Sequence, residues 1–392
     1  MTSSIRAKAV SNLFGKASIV FILISFYFSY LVEGLTLNTE FRNVILFISF
    51  IFYFFKISVY PRLDISKNFF QYILLGLIIA AISVFFWFSL SEINVYFTLI
   101  TITIVISSGL SFFKKSLKVF IYFILILAMY EFFTKTYVFE VYRNTEWGIK
   151  ALDPKFYGGN SGLFRAKALF EGPLALAQFA IGIALIFRDD LKILILSILL
   201  AILANGRLGM IICSFILIFH FIEKYNIGKF LKSKRGIWAM LLAIVGAVSF
   251  GSYFVSEKSI ERFKTVLNFS DPSNLGRFYY WKEAINFYWD YNLLHKIFGN
   301  SGYFRDAIGN SAENGWLMLL LNNGFLGFLY YFTPFILIFL LSIKYKTAHF
   351  MFISVVFLSM MIQTFHLGAS ASLLYWIIMY IYLQELKIKT HA

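Results

Sequence analysis

Long apolar runs alternate with short polar breaks along most of the chain. Runs near the ~20 residues that cross a bilayer read as helices. The pattern predicts spans at 17–35, 43–60, 69–90, 94–112, 117–136, 170–187, 191–204, 208–222, 236–254, 315–342, 348–364 and 369–385. That is an all-α integral membrane fold of about twelve spans, a single polytopic membrane domain over 1–392. Two intervening stretches, 137–168 and 255–314, are too long to be turns, and long loops tend to carry function. In the second, Asp271-Pro-Ser-Asn opens a helix, and Phe278, Trp281, Ile285, Tyr288 and Trp289 recur at helical spacing. This predicts an amphipathic helix lying at the membrane interface. The runs 191–204 and 208–222 are short, roughly 21–23 Å each against a core of ~30 Å. The turn Ala204-Asn-Gly-Arg207-Leu-Gly209 is therefore expected below the surface, with Arg207 partly in the membrane. An arginine there costs roughly 2.5–3.5 kcal/mol and usually marks function.

Composition sharpens the picture. The chain is 60% hydrophobic and only 14% charged, against about 25% charged in soluble domains. Its 49 Phe and 24 Tyr suit packing against lipid and at interfaces. The formal charge of +15 does not indicate nucleic acid, because the basic residues cluster in short loops. With the N-terminus inside, the inner segments hold 20 Lys and Arg, and the short outer loops only Arg42 and Arg207. This asymmetry places both termini in the cytoplasm and both long loops on the periplasmic or outer face. The implied location is the inner (cytoplasmic) membrane, as a multi-pass protein. Arg6, Lys8 and Lys16 precede the first run and no small-residue cleavage site follows, so the first span is expected to be retained. The single cysteine, Cys213, cannot form an intramolecular disulfide. No Asp-x-Asp occurs in the outer segments, so a nucleotide-sugar enzyme using a metal through that motif is not supported; no Gly-x4-Gly-Lys-Ser/Thr loop occurs anywhere, and no cofactor is expected.

Three arginines on the outer side are candidates for chemistry. Arg165 lies in Gly162-Leu-Phe-Arg-Ala-Lys167-Ala-Leu-Phe-Glu171-Gly-Pro173, Arg207 in the short turn, and Arg277 in Asn274-Leu-Gly-Arg-Phe-Tyr-Tyr-Trp281. Guanidinium binds phosphate bidentately and keeps its charge, and a lipid pyrophosphate would lie at this depth. Snorkelling or ion pairing is the other reading of the same residues, and from physics alone the favoured one for Arg165 and Arg277. Glu313 stands at the mouth of a span in Ser311-Ala-Glu-Asn314-Gly-Trp316, placed to act as a general base or to complement a helix dipole. His366, near the outer end of another span, is either a site residue or a structural one.

Together these motifs resemble the superfamily of O-antigen polymerases (Wzy-type) and O-antigen ligases. The resemblance rests on Arg165 to Pro173 before a span and on Asn205-Gly-Arg207 at a tight turn. It rests further on Gly276-Arg277-x3-Trp281, Phe298-Gly-Asn-Ser-Gly302-Tyr-Phe304, Glu313-Asn314-x-x-Leu317 and Gly324-x-x-Gly327 in and after the long loop. It covers about 155–330 directly. It implies a GT-C-like architecture and a metal-independent glycosyltransferase acting on undecaprenyl-pyrophosphate-linked oligosaccharides as donor and acceptor, within the lipid bilayer. Glu313, Arg277 and Arg207 would be catalytic, with Arg165, Lys167, Trp281, Asn314 and His366 binding substrate. A chain-length regulator protein is an implied partner. Ligases of the superfamily tend to carry His where Glu313 stands and many polymerases carry an acid, which favours a polymerase of O-antigen or capsular polysaccharide. The alternatives are a ligase that moves the glycan to a lipid or protein acceptor, and a flippase for lipid-linked oligosaccharides.

Overall fold

The computed structural model describes residues 2–28, 41–61, 65–139, 142–145, 148–151, 164–225, 272–362 and 369–391. The predicted span 236–254, the beginning of the second long loop and His366 lie outside the described residues. The described chain is helical apart from one small hairpin, and it divides into two compact units, Met1–Tyr122 with Gly276–Ala392, and Phe123–Leu275.

The first unit contains α1 (Thr2–Tyr27), α2 (Phe41–Val59) and α3 (Lys67–Ser83). Next comes α4 (Ile93–Thr134), within which the chain passes to the second unit. There follow in the second unit β1 (Tyr142–Thr145), β2 (Gly148–Ala151), α5 (Pro173–Ile186), α6 (Leu191–Leu203) and α7 (Arg207–Tyr225). α8 (Pro272–Asp290) leads back into the first unit, followed by α9 (Leu293–Phe298), α10 (Tyr303–Ile308), α11 (Gly315–Lys344), α12 (His349–Ile362) and α13 (Ala369–His391).

Among the described residues, three helical stretches are long and apolar enough to cross a membrane: Arg6–Tyr27, Ile93–Thr134 and Gly315–Lys344. Six shorter apolar helices accompany them. Large apolar side chains such as Phe54, Val119 and Ile126 stand exposed on these helices, as they do where lipid rather than water is the solvent. Small polar residues join the helices. Ser18 Oγ and Ser49 Oγ lie 2.9 Å apart between α1 and α2, a contact suited to a medium that offers no competing water.

Several boundaries differ from the sequence expectation. The predicted spans 94–112 and 117–136 form one long helix broken at Gly109 (φ 127°), not at the lysines 114 and 115. The predicted span 69–90 stops at Ser83. Beyond it, hydrogen bonds to another loop replace helical ones: Trp87 Nε1 donates to Phe298 O, Phe88 N to Asn300 Oδ1, and Ser89 N to Ser301 O. α7 has 19 residues, ~28 Å at helical rise, longer than the 208–222 run suggested. The all-helical frame carries one small addition in the first long loop, where β1 pairs antiparallel with β2, Tyr142 opposite Ala151. Four-residue strands are too short to leave a visible period in the sequence.

The expected loop helix is present as α8. Its apolar positions divide between two faces. Ala284, Phe287, Tyr288 and the following Tyr291 pack with Phe304, Ala312, Met318 and Leu321. Phe278, Ile285 and Trp289, together with Leu275, stay exposed along the helix.

Candidate active site

In the second unit the structure joins two motifs that are about forty residues apart in sequence. α6 ends in a left-handed turn. Asn205 has φ 47°, Asn205 N donates to Ile202 O and Gly206 N donates to Ala201 O. This is the double hydrogen bond of a Schellman cap, with Asn in the left-handed position. Gly206 is required here by space, since a Cβ would lie 2.5 Å from Ala177 Cβ on α5. Arg207 then begins α7, half-buried.

The cap leaves carbonyls at the end of α6 that helical bonds cannot satisfy. The Arg165 segment satisfies two of them. Arg165 Nε donates to Ala204 O at 3.1 Å, and Ala166 N donates to Leu203 O at 3.0 Å. Arg165 is only 8% exposed, and a cation at a helix C-terminus also complements the dipole. Lys167 is wholly buried, with its Nζ 5.0 Å from the centre of the Tyr137 ring. Burial lowers the Lys167 ammonium to about 8, against an opposing pull from Glu131. Both cations thus have structural tasks beside the substrate binding that the resemblance implied for them.

Glu131 was not singled out in sequence. It is completely buried near the end of α4, and its carboxylate accepts from three backbone N–H groups: Val138 (3.1 Å), Lys167 (2.8 Å) and Ala168 (2.8 Å). The visible signal was a lone acid within the apolar run 117–136.

The first unit brings together the other predicted pair. Arg277, in the second turn of α8, donates through Nε to Glu313 Oε2 at 2.9 Å. Both side chains stay partly exposed, 33% and 40%. Asn314, not Glu313, caps α11, its Oδ1 accepting from Leu317 N at 3.1 Å. Glu313 precedes the cap with φ 50°, and this backbone turn leaves its carboxylate paired with Arg277. Glu313 thus has a side-chain partner while standing at the N-terminal end of α11. The Asn314 carboxamide oxygen is committed to the cap. Trp281 lies one turn along α8 from Arg277 with its indole N–H buried and without a hydrogen-bond partner, its ring edge-on to Phe278.

No family model, curated protein or solved structure matches the chain. The functional reading therefore rests on these residues and their geometry.

The two glycine motifs explain how Glu313 is held. Gly324 (φ 67°) interrupts α11, and Asn300 N donates to Leu321 O one turn before the break. A Cβ on Gly299 would lie 2.3 Å from Asn322 O, and one on Gly324 would lie 2.4 Å from Gly299 N. The backbones of Phe298–Asn300 and of the α11 break are therefore in direct contact. That contact fixes the segment between α9 and α10 against the middle of α11, the helix that Glu313 precedes. A second acid, Glu92, lies in the turn before α4, where its N–H donates to Ser301 Oγ. Burial raises the Glu92 carboxyl to about 7, with Arg305 pulling the other way.

Proposed function

We propose that the chain is a membrane glycosyltransferase that polymerises undecaprenyl-pyrophosphate-linked oligosaccharide repeat units on the outer face of the inner membrane. The observation that carries this reading is the Arg277–Glu313 pair, a carboxylate held in place at the mouth of an apolar helix beside a guanidinium. The twelve-span, GT-C-like arrangement with both termini cytoplasmic belongs to the same proposal. It is supported by the distribution of basic residues and by the apolar helices.

In this mechanism the growing glycan on its lipid pyrophosphate is the donor and a single lipid-linked repeat unit is the acceptor. The acceptor hydroxyl attacks the anomeric carbon. The new oxygen–carbon bond forms as the bond from that carbon to the pyrophosphate oxygen breaks. Glu313 takes the hydroxyl proton, and the departing pyrophosphate carries away the electron pair. Arg277 serves both partners. Its Nε orients Glu313 Oε2, leaving Oε1 as the proton acceptor, and a guanidinium has further N–H donors to stabilise the charge that develops on the leaving group. In the second unit, taken by itself, Arg165 holds the turn that carries Arg207, and Arg207 is proposed to bind phosphate of a lipid-linked substrate.

Cells separate this reading from transport. Cells lacking the protein should still transfer single repeat units to the final acceptor while long chains disappear. Accumulation of lipid-linked units on the inner leaflet would instead identify a flippase.

A further inference from the structure

A cavity of about 580 Å³ opens beside the C-terminal end of α8, in the first unit. That volume lies within the range of small-molecule sites. Its aromatic wall is Phe287, Tyr291 and Tyr303, whose rings brace one another: Phe287–Tyr303 at 6.2 Å and Tyr291–Tyr303 at 6.4 Å between centroids. Its polar groups are Asp290, Asn292, His295 and Asn300, the last with its Oδ1 accepting from Phe88 N.

The chemistry of this lining is selective. Among the described residues, neither lysine nor arginine lines the cavity and one carboxylate does, so phosphate and other anions are disfavoured. An apolar ligand would leave Asp290, Asn292 and His295 unused. A sugar satisfies both halves, because one face of its ring presents C–H groups to an aromatic wall and its hydroxyls donate and accept at the edge. Asp290 accepts, the Asn292 amide donates while its oxygen is held by His295 N at 2.9 Å, and the His295 ring can do either.

We infer that this cavity is a saccharide subsite for a neutral sugar of the glycan substrate, remote from the bond being made. The inference rests on the glycosyltransferase reading. From Arg277 to Asp290 the helix advances 13 residues, ~20 Å at 1.5 Å each, so the sugar bound here lies several units from the reacting one. Binding energy gained far from the reacting atoms fixes the register of the chain and can be spent on orienting them.

The probe is the free oligosaccharide released by mild acid from the lipid-linked intermediates of cells that carry the protein. It is titrated calorimetrically into the full chain in nanodiscs. His295→Ala and Asp290→Asn should each weaken binding at least tenfold with unchanged melting temperature, and Glu313→Gln should bind as the wild type does. Wild-type protein that makes polymer while these cavity variants bind normally, or while the wild type shows no binding, overturns the subsite and leaves the proposed reaction standing. Cavity-dependent binding by a protein that makes no polymer overturns the reaction and leaves the subsite. Neither binding nor polymer overturns both.

Discussion

Arg277 and Glu313 are 36 positions apart, yet Nε and Oε2 meet at 2.9 Å. Two backbone devices bring them together. α8 carries Arg277 near its start, and Glu313 itself adopts a left-handed backbone (φ 50°) immediately ahead of the Asn314 cap of α11. The pair is neither deeply buried nor fully exposed, which suits a group that must exchange protons with a substrate and still be held in position.

The contact between Gly299 and Gly324 should be intolerant of any side chain. Both have positive φ, and an added Cβ would meet backbone atoms at 2.3–2.4 Å. Gly299→Ala and Gly324→Ala should each cost about 2–4 kcal/mol, from strain together with overpacking. Thermal unfolding in detergent measures this. A change in melting temperature no larger than that of Gly276→Ala, where an added Cβ meets nothing, would contradict the proposed backbone contact.

Glu131 should matter for stability. Glu131→Ala removes the acceptor for three backbone N–H groups and the carboxylate that acts on the buried Lys167. Uncompensated buried charge typically costs about 3–5 kcal/mol. Combining Glu131→Gln with Lys167→Met should recover part of that loss, because it removes the uncompensated ammonium as well. Equal melting temperatures for wild type and Glu131→Ala would show that the acid contributes nothing to the loop.

Glu92 should give the protein a pH-dependent stability. Its folded-state carboxyl is raised from 4.5 to about 7, so between those values the folded state holds the proton more tightly than the unfolded one. Stability from this group is fully present below about pH 4.5 and is lost as pH rises through about 7. The largest effect is about 3 kcal/mol. Melting temperatures from pH 5 to 8 should fall less steeply for Glu92→Gln than for wild type. Identical slopes would remove Glu92 as the source.

Much of the helical frame was legible in the sequence because apolar runs of bilayer length leave few other solutions. The ends of α2, α5, α6 and α11 lie within a few residues of the expected ones. What the runs could not show is where long-range polar partners override them. Val84–Glu92 is apolar enough to extend α3, yet it leaves the helix for hydrogen bonds with Phe298, Asn300 and Ser301. The same limit applies to the site. The residue types at Arg165, Arg207, Arg277 and Glu313 were visible, but not that Arg165 would cap α6 or that Arg277 would meet Glu313. Glu131 escaped notice because its partners are backbone N–H groups, which leave no signature in side-chain motifs.

The central claim is that Glu313, oriented by Arg277, is the base of a glycosyl transfer. Purified protein in nanodiscs, supplied with lipid-linked repeat units, tests it most directly through the polymerisation rates of wild type, Glu313→Gln and Arg277→Lys. A general base is worth about 10²–10⁴-fold, so Glu313→Gln should retain about 1% of the wild-type rate or less while still binding substrate. Arg277→Lys should recover little over Arg277→Ala, since a single ammonium cannot hold both Glu313 and a phosphate oxygen in a planar fork. A wild-type rate for Glu313→Gln would contradict the account.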